Sequence, residues 1–256
     1  MPAQCLTQAA KEMSSSAIVE PITDVLTATG LFLVTDTLQT PSAGFLGHIL
    51  TLAIRQNECV VLVSVGASRP YYLGLTRRLG INLPALEESG LVRFIDYTSY
   101  LEQADTIRNA NPDSIDHWTL PLFSLPLFDD RKQWILFEDL TALVYWGIPV
   151  KDVLRLVHQS LSLVYESNGC VVATVHADDV GDVGAETLMR LLVPSSQWMY
   201  MLRTLSSGAT LGVDGQLDVT SGPRHPDPRP VSRELLFKIT DSGATCFPRG
   251  LSHGVI

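Results

Sequence analysis

Five short strand-like runs constrain this chain most: Leu31–Thr35, Cys59–Val65, Trp134–Phe137 and Cys170–Val175, almost unbroken in apolar residues, and Val92–Asp96, which Arg93 interrupts. A strand with one solvated face alternates polar and apolar residues, whereas a strand covered on both faces does not. These runs therefore read as parallel strands with helices packed on either side. The segments between them have helical spacing. Phe45, Ile49, Leu52 and Ala53 share one face of a helix running from Ser42, its cap, to about Gln56. Arg69–Leu79 reads as a helix stopped by Gly80, and Leu83–Ser89 as a shorter one closed by Gly90. Val150–Glu166 is a helix with Leu154, Val157, Leu161 and Val164 along one side, and Gly184–Leu192 is another. Residues 99–128 read as a helix to about Asn109 and then a loop with prolines and aspartates.

After Pro194-Ser195-Ser196 the period changes. Trp198–Leu205, Gln216–Val219, Leu235–Thr240 and Ala244–Phe247 read as consecutive strands, with DGQ (214–216) and DSG (241–243) as turns. Between two of them lies a polar Pro-rich loop, TSGPRHPDPRPVS (220–232). Alternation first and strands last predict an α/β fold: a doubly wound, mostly parallel sheet with a C-terminal antiparallel extension. RecA-like domains have this layout. Residues 22–256 read as one such domain behind a flexible N-terminal segment, 1–21. A chain of 256 residues buries roughly 70–75% of its unfolded surface, enough for a full core.

Composition excludes several classes. A formal net charge of −9 is not the footprint of an autonomous nucleic-acid binder. Cys5, Cys59, Cys170 and Cys246 are too widely spaced for a zinc site or a disulfide framework. They read as reduced thiols of the cytosol or nucleus. The first residues do not form a secretory signal, and no apolar run is long enough to span a bilayer. LPLFSLPLF (120–128) is broken by Pro121 and Pro126 and reads as a packed loop.

The turn after the first strand decides the chemistry. A phosphate-binding loop needs glycines to curl backbone N–H groups around phosphate, a lysine for the β/γ-phosphates and a Ser/Thr hydroxyl for Mg²⁺. Residues 36–44 read Asp-Thr-Leu-Gln-Thr-Pro-Ser-Ala-Gly, and no lysine occurs between Lys11 and Lys132. Gly44 falls inside the helix, and Arg55 lies near that helix's far end, roughly 20 Å from the turn at helical rise. Conventional ATP hydrolysis by this chain alone is not expected. WILFEDL (134–140) has the shape of an Mg²⁺-holding strand through Glu138 and Asp139, but acids also end parallel strands and cap the segment after them. That capping reading is preferred.

Other constellations are weaker. There is no G-x-S-x-G elbow. His176-Ala177-Asp178-Asp179 sits where α/β sheets bind ligands, yet without a second ligand motif it reads as a solvated acidic loop. No metal site, cofactor site or catalytic residue is expected. Arg224, Arg229 and Arg233, in and beside the Pro-rich loop, are the candidates for contact with a phosphate backbone. VYWG (144–147) is the aromatic stretch most suited to a subunit boundary.

The ordered set of segments resembles the Elongator complex protein 6 family. The stretches that carry the resemblance are RRLGINL (77–83), ESGLVRFID (88–96), GVDGQLDV (212–219) and FKITDSGATCFPRGLS (237–252). The likeness runs from about residue 22 and is weakest in the Pro-rich loop. It implies a RecA-like subunit with no catalytic residues, which joins the fourth and fifth Elongator subunits in a hetero-hexameric ring. That ring joins the core Elongator subunits, binds tRNA, responds to ATP and supports wobble-uridine modification. The implied compartment is the cytoplasm, with the nucleus second. Two alternatives compete: a RecA-type ATPase with an unorthodox phosphate loop, and a DNA-binding RecA paralogue. The lysine gap opposes the first, and the acidic stretch 176–186 opposes the second.

Overall fold

The computed structural model describes residues 29–97, 99, 131–177, 183–205, 212–240 and 243–249. The expectations for the N-terminal segment 1–21, for most of 99–128, and for Cys5, Asp178 and Asp179 lie outside these residues. In chain order the elements are β1 (Gly30–Asp36), α1 (Ala43–Arg55), β2 (Cys59–Ser64), α2 (Arg69–Arg78), α3 (Leu83–Glu88), β3 (Val92–Asp96) and β4 (Gln133–Glu138). There follow α4 (Leu140–Tyr145), α5 (Val150–Tyr165), β5 (Cys170–His176), α6 (Val183–Leu192), a 3₁₀ turn (Val193–Ser195), β6 (Ser196–Arg203), β7 (Gly215–Ser221), β8 (Ser232–Thr240) and β9 (Gly243–Pro248).

The strands form one sheet in the order β3-β2-β4-β5-β1-β6-β7-β8-β9. The five runs lie in its parallel part: β1, β2, β4 and β5 are buried almost throughout, and β3, at the edge, is only partly buried. Every residue of β2 is buried, and so are the first six of β5. One face packs against α1 and α2 through Phe32, Leu62, Leu136, Val172, Leu46 and Tyr72. The other packs against α4, α5 and α6 through Leu33, Val63, Phe137, Leu143, Leu156 and Leu188. Gly80 and Gly90 end the second and third helical segments with φ of +73° and +75°, the left-handed geometry that favours glycine at a helix stop.

Three details depart from the sequence expectation. Strand β6 runs parallel to β1, in register from Phe32 opposite Trp198 to Thr35 opposite Met201, so the antiparallel extension begins at β7. The preceding α6 returns the chain to the starting end of the sheet, which makes the next strand parallel. The helix α4 was not foreseen, because six residues carry too few turns to show a period. On α5 the buried stripe is Val153, Leu156, Val157, Ser160 and Val164, with Leu154 and Leu161 at its margin. The Pro-rich loop does separate β7 from β8, and the flanking pairing runs to Thr220 opposite Ser232.

Among the described residues Trp134 is the largest fully buried side chain. Its ring is 6.4 Å from that of Phe32, and its indole N–H donates to Glu58 Oε2 at 2.6 Å. Trp134→Ala removes that volume and leaves a half-buried carboxylate without its donor. The expected loss is about 3–5 kcal/mol. Tyr165→Ala, at an 81% exposed position, is expected to change stability by less than about 0.5 kcal/mol. Urea unfolding of both variants checks the pair.

Candidate functional site

The carboxyl ends of β1, β2, β4 and β5 meet in a cleft of about 240 Å³. This is the position at which open α/β sheets hold their ligands. The turn after β1 is closed on itself. Thr40 N–H donates to Thr37 O at 2.9 Å and to Thr37 Oγ1 at 3.2 Å. Ser42 sits at the N-cap of α1 but makes no side-chain cap bond, against expectation. Its backbone N–H instead donates to Asp36 Oδ2 at 2.7 Å. An amide that a phosphate loop would present to an anion is thus held by the chain's own carboxylate. Gly44 lies in the helix, where an added Cβ would meet Ile239 at 2.8 Å.

His176 links three elements at the floor. Its Nδ1 pairs with Asp36 Oδ1, and its Nε2 lies 3.2 Å from Asp139 Oδ2. Its backbone N–H donates to Thr141 Oγ1 at 2.8 Å. Both ring nitrogens face carboxylates, so the imidazole is held as a cation. The hydrogen bond to Asp139 and then that to Asp36 raise its pKa to about 10, against an opposing effect of burial. Sequence reading placed His176 in a solvated acidic loop. The residue is in fact held between two acids, one of them 140 positions away.

Asp139 adopts φ +59°, a left-handed conformation that aspartate tolerates better than most residues. That geometry lets one side chain do two things. Oδ1 accepts the N–H groups of Thr141 and Ala142 at 3.0 and 3.2 Å, capping α4, while Oδ2 faces His176. The expected capping role therefore holds for Asp139. It does not hold for Glu138, whose Oε2 reaches across to the turn after β2. There it accepts from Ser64 Oγ at 3.0 Å, Gly66 N–H at 3.1 Å and Ala67 N–H at 3.2 Å. Burial raises the Glu138 pKa, the Ser64 and Gly66 donors pull it back, and the charge of Asp139 raises it again.

The other candidate residues lie elsewhere. The Pro-rich loop packs at the amino end of β6, the opposite end of the sheet. Gly222 N–H donates to Gln197 O at 2.8 Å, Arg224 N–H to Ser196 O at 2.9 Å, and His225 stacks edge-on against Trp198 with centroids 4.5 Å apart. Arg224 and Arg229 are exposed and Arg233 is half-buried. Arg229 is already engaged, with Nη2 2.8 Å from Asp227 Oδ2. Cys59, Cys170 and Cys246 are buried, and burial lifts the Cys170 and Cys246 thiols to about 12. Among the described residues no cluster of His, Cys, Asp and Glu is arranged to hold a metal, and no helix is long and apolar enough to cross a membrane.

Comparison with known proteins gives a consistent likeness. A family model described as Elongation complex protein 6 matches residues 128–241. Elongator complex protein 6 of Xenopus tropicalis is 29% identical over 237 residues, covering 82% of this chain and 86% of the relative. The chain is a homologue of Elongator complex protein 6. The Elongator complex protein 6 of Xenopus laevis is 26% identical over 254 residues, covering 91% of this chain and 96% of its own length. That of Danio rerio is 23% identical over 248 residues. Among solved structures, a KaiC-like protein of Pyrococcus horikoshii superposes with a TM-score of 0.53 at 13% identity, covering 86% of this chain and 89% of its own. That likeness shows the RecA-like fold.

His176 has a folded-state pKa of about 10 against an ordinary 6.5. A raised pKa contributes stability that is complete below the unfolded value and lost as pH rises through the folded one. Wild-type stability to urea is therefore expected to fall between about pH 6.5 and pH 10. In His176→Gln that slope should flatten, and the variant should be the less stable protein at pH 6.

Proposed function

We propose that this chain is a non-catalytic, RecA-like subunit of the Elongator complex. In this reading it builds a hetero-hexameric ring with the fourth and fifth Elongator subunits, and the ring supports wobble-uridine modification of tRNA. The observation that carries the non-catalytic part is the bond from Ser42 N–H to Asp36 Oδ2. It takes up an amide at the point where a phosphate would have to be held, and the carboxylate adds repulsion of its own. The names of the relatives supply the complex.

Two surfaces support ring building. Tyr145 ends α4 and Trp146 follows it, on one side of the sheet, and they are 49% and 47% exposed. Tyr71, 44% exposed, opens α2 on the other side. Half-exposed aromatics suit interfaces, and two different patches on opposite faces suit head-to-tail contacts that close into a ring. Arg224, Arg229 and Arg233 are this chain's proposed contacts to tRNA in the assembled ring. The working compartment is the cytoplasm, with the nucleus second.

The test is a gentle pull-down of the tagged chain from its own cells, followed by native mass determination. The expected result is a six-subunit particle with two further kinds of RecA-like chain, and no ATP turnover by the isolated subunit. A lone monomer with saturable ATP binding overturns the reading in favour of an unorthodox ATPase.

A further inference from the structure

Strand β8 starts with only one of its edges paired. It spans Ser232–Thr240, but its pairing with β9 begins at Leu235, opposite Pro248. Among the described residues, Ser232, Arg233 and Glu234 therefore pair on one side alone, with Thr220, Val219 and Asp218 of β7. Val231 continues that pairing one residue into the Pro-rich loop. Its carbonyl accepts the Ser221 N–H at 2.9 Å, and its N–H donates to Ser221 Oγ at 2.9 Å. Pro230 disfavours helical geometry at Arg229 before it. The run 231–234 is thus extended with one edge open, and Ser232 is exposed in it.

Arg229 stands three residues ahead of Ser232, in the spacing RPVS (229–232). Along an extended backbone three residues cover about 10 Å. An enzyme that holds such a segment can therefore place the serine at its reacting centre and read the arginine in a separate acidic pocket, by charge-assisted hydrogen bonds. The Arg229 side chain is 86% exposed and is paired with Asp227, itself 38% exposed. An ion pair so open to water is weak, so an enclosed acidic pocket can take the guanidinium from it. RTLS (203–206) and RGLS (249–252) repeat the spacing, but their serines lie outside the described residues. The charge of the Pro-rich loop is also small enough for one phosphate to cancel. Residues 222–233 hold Arg224, Arg229 and Arg233 against Asp227, a net charge of +2 with His225 neutral. A phosphoserine carries about −1.5 to −2 at pH 7.

We propose that Ser232 is the acceptor for a protein kinase that recognises arginine three residues ahead of its serine, and that the phosphate cancels the positive charge of the Pro-rich loop. In that step Ser232 Oγ attacks the γ-phosphorus of an ATP held by the kinase. A new O–P bond forms, the bond to the β,γ-bridging oxygen breaks, ADP leaves, and the hydroxyl proton passes to a carboxylate of the kinase. The phosphate then sits one residue from Arg233 and three from Arg229. It competes for their guanidinium groups with any outside phosphate backbone. Only this last consequence rests on the reading of the loop as a tRNA contact.

The folded full-length chain, incubated with Mg·ATP and the catalytic domain of a calmodulin-dependent protein kinase, tests the site, because that kinase reads arginine at this spacing. The expected product carries a phosphate mapped to Ser232 by fragmentation mass spectrometry. Ser232→Ala should lose it, and Arg229→Ala should slow its addition about tenfold or more. Both side chains are exposed, so the urea midpoints of the two variants should match wild type. A chain that takes no phosphate, phosphate on Ser206 or Ser252 alone, or a rate indifferent to Arg229→Ala would each overturn the site. The six-subunit ring, with and without the Ser232 phosphate, is then titrated with tRNA over a range of salt concentrations. The phosphate should weaken binding about tenfold and lower the salt dependence by about two phosphate contacts, while the Ser232→Ala ring binds as wild type. Equal binding by the two rings would overturn the charge switch and leave Ser232 a kinase substrate. Phosphate on Ser232 of a chain that forms no six-subunit particle would leave the site standing and sink the ring reading.

Discussion

Strand β1 is hydrogen-bonded along both edges, to β5 and to β6, and its interior side chains are buried on both faces. The rest of the molecule depends on that constraint. A strand in this position needs helices above and below, and the chain supplies them by winding α1 and α2 over one face and α4, α5 and α6 over the other. It also delivers its last residue, Asp36, to the carboxyl edge at 1% exposure. A carboxylate so deeply placed requires donors, because burying an unpaired polar group is costly. Ser42 N–H and His176 supply them, His176 in turn orients Asp139, and Asp139 starts α4. The cleft is therefore an extension of the core into the surface rather than a loop feature laid over it.

Much of the fold was legible because burial on two faces leaves a plain mark. Runs such as CVVLVS and CVVATV admit few other readings, and the bounds of β2, β3 and β5 fell within a residue of expectation. The direction of β6 was not legible. Its alternation of buried and half-buried residues looks like an antiparallel strand, and only the crossover through α6 makes it parallel to β1. The candidate site was legible as an absence. The missing lysine and glycines could be counted, but what stood in their place could not. Asp36 and His176 lie 140 positions apart, and Glu138 and Gly66 lie 72 apart. No local spacing records those pairings, which arise only when four strand ends are brought side by side.

Glu138 and Asp139 show how adjacent residues of like charge come to different roles. Alternation along β4 puts Glu138 on the α1 and α2 side, where the β2 turn closes around one of its oxygens. Asp139 leaves the strand through a left-handed residue and turns to cap the next helix. Reading the two as one acidic pair obscures this. The first gathers the neighbouring turn, and the second holds the imidazolium.

The Pro-rich loop and the cleft lie at opposite ends of the same strands. At one end Arg224, Arg229 and Arg233 outnumber Asp227, and at the other three carboxylates face one imidazolium. Superimposed on the overall negative charge, these two groups carry opposite signs at opposite ends of the strands. In the field of a polyanion such as a phosphate backbone, the net charge alone would push the molecule away. The two groups respond to such a field in opposite senses: the three arginines are attracted by it and the cleft carboxylates are repelled.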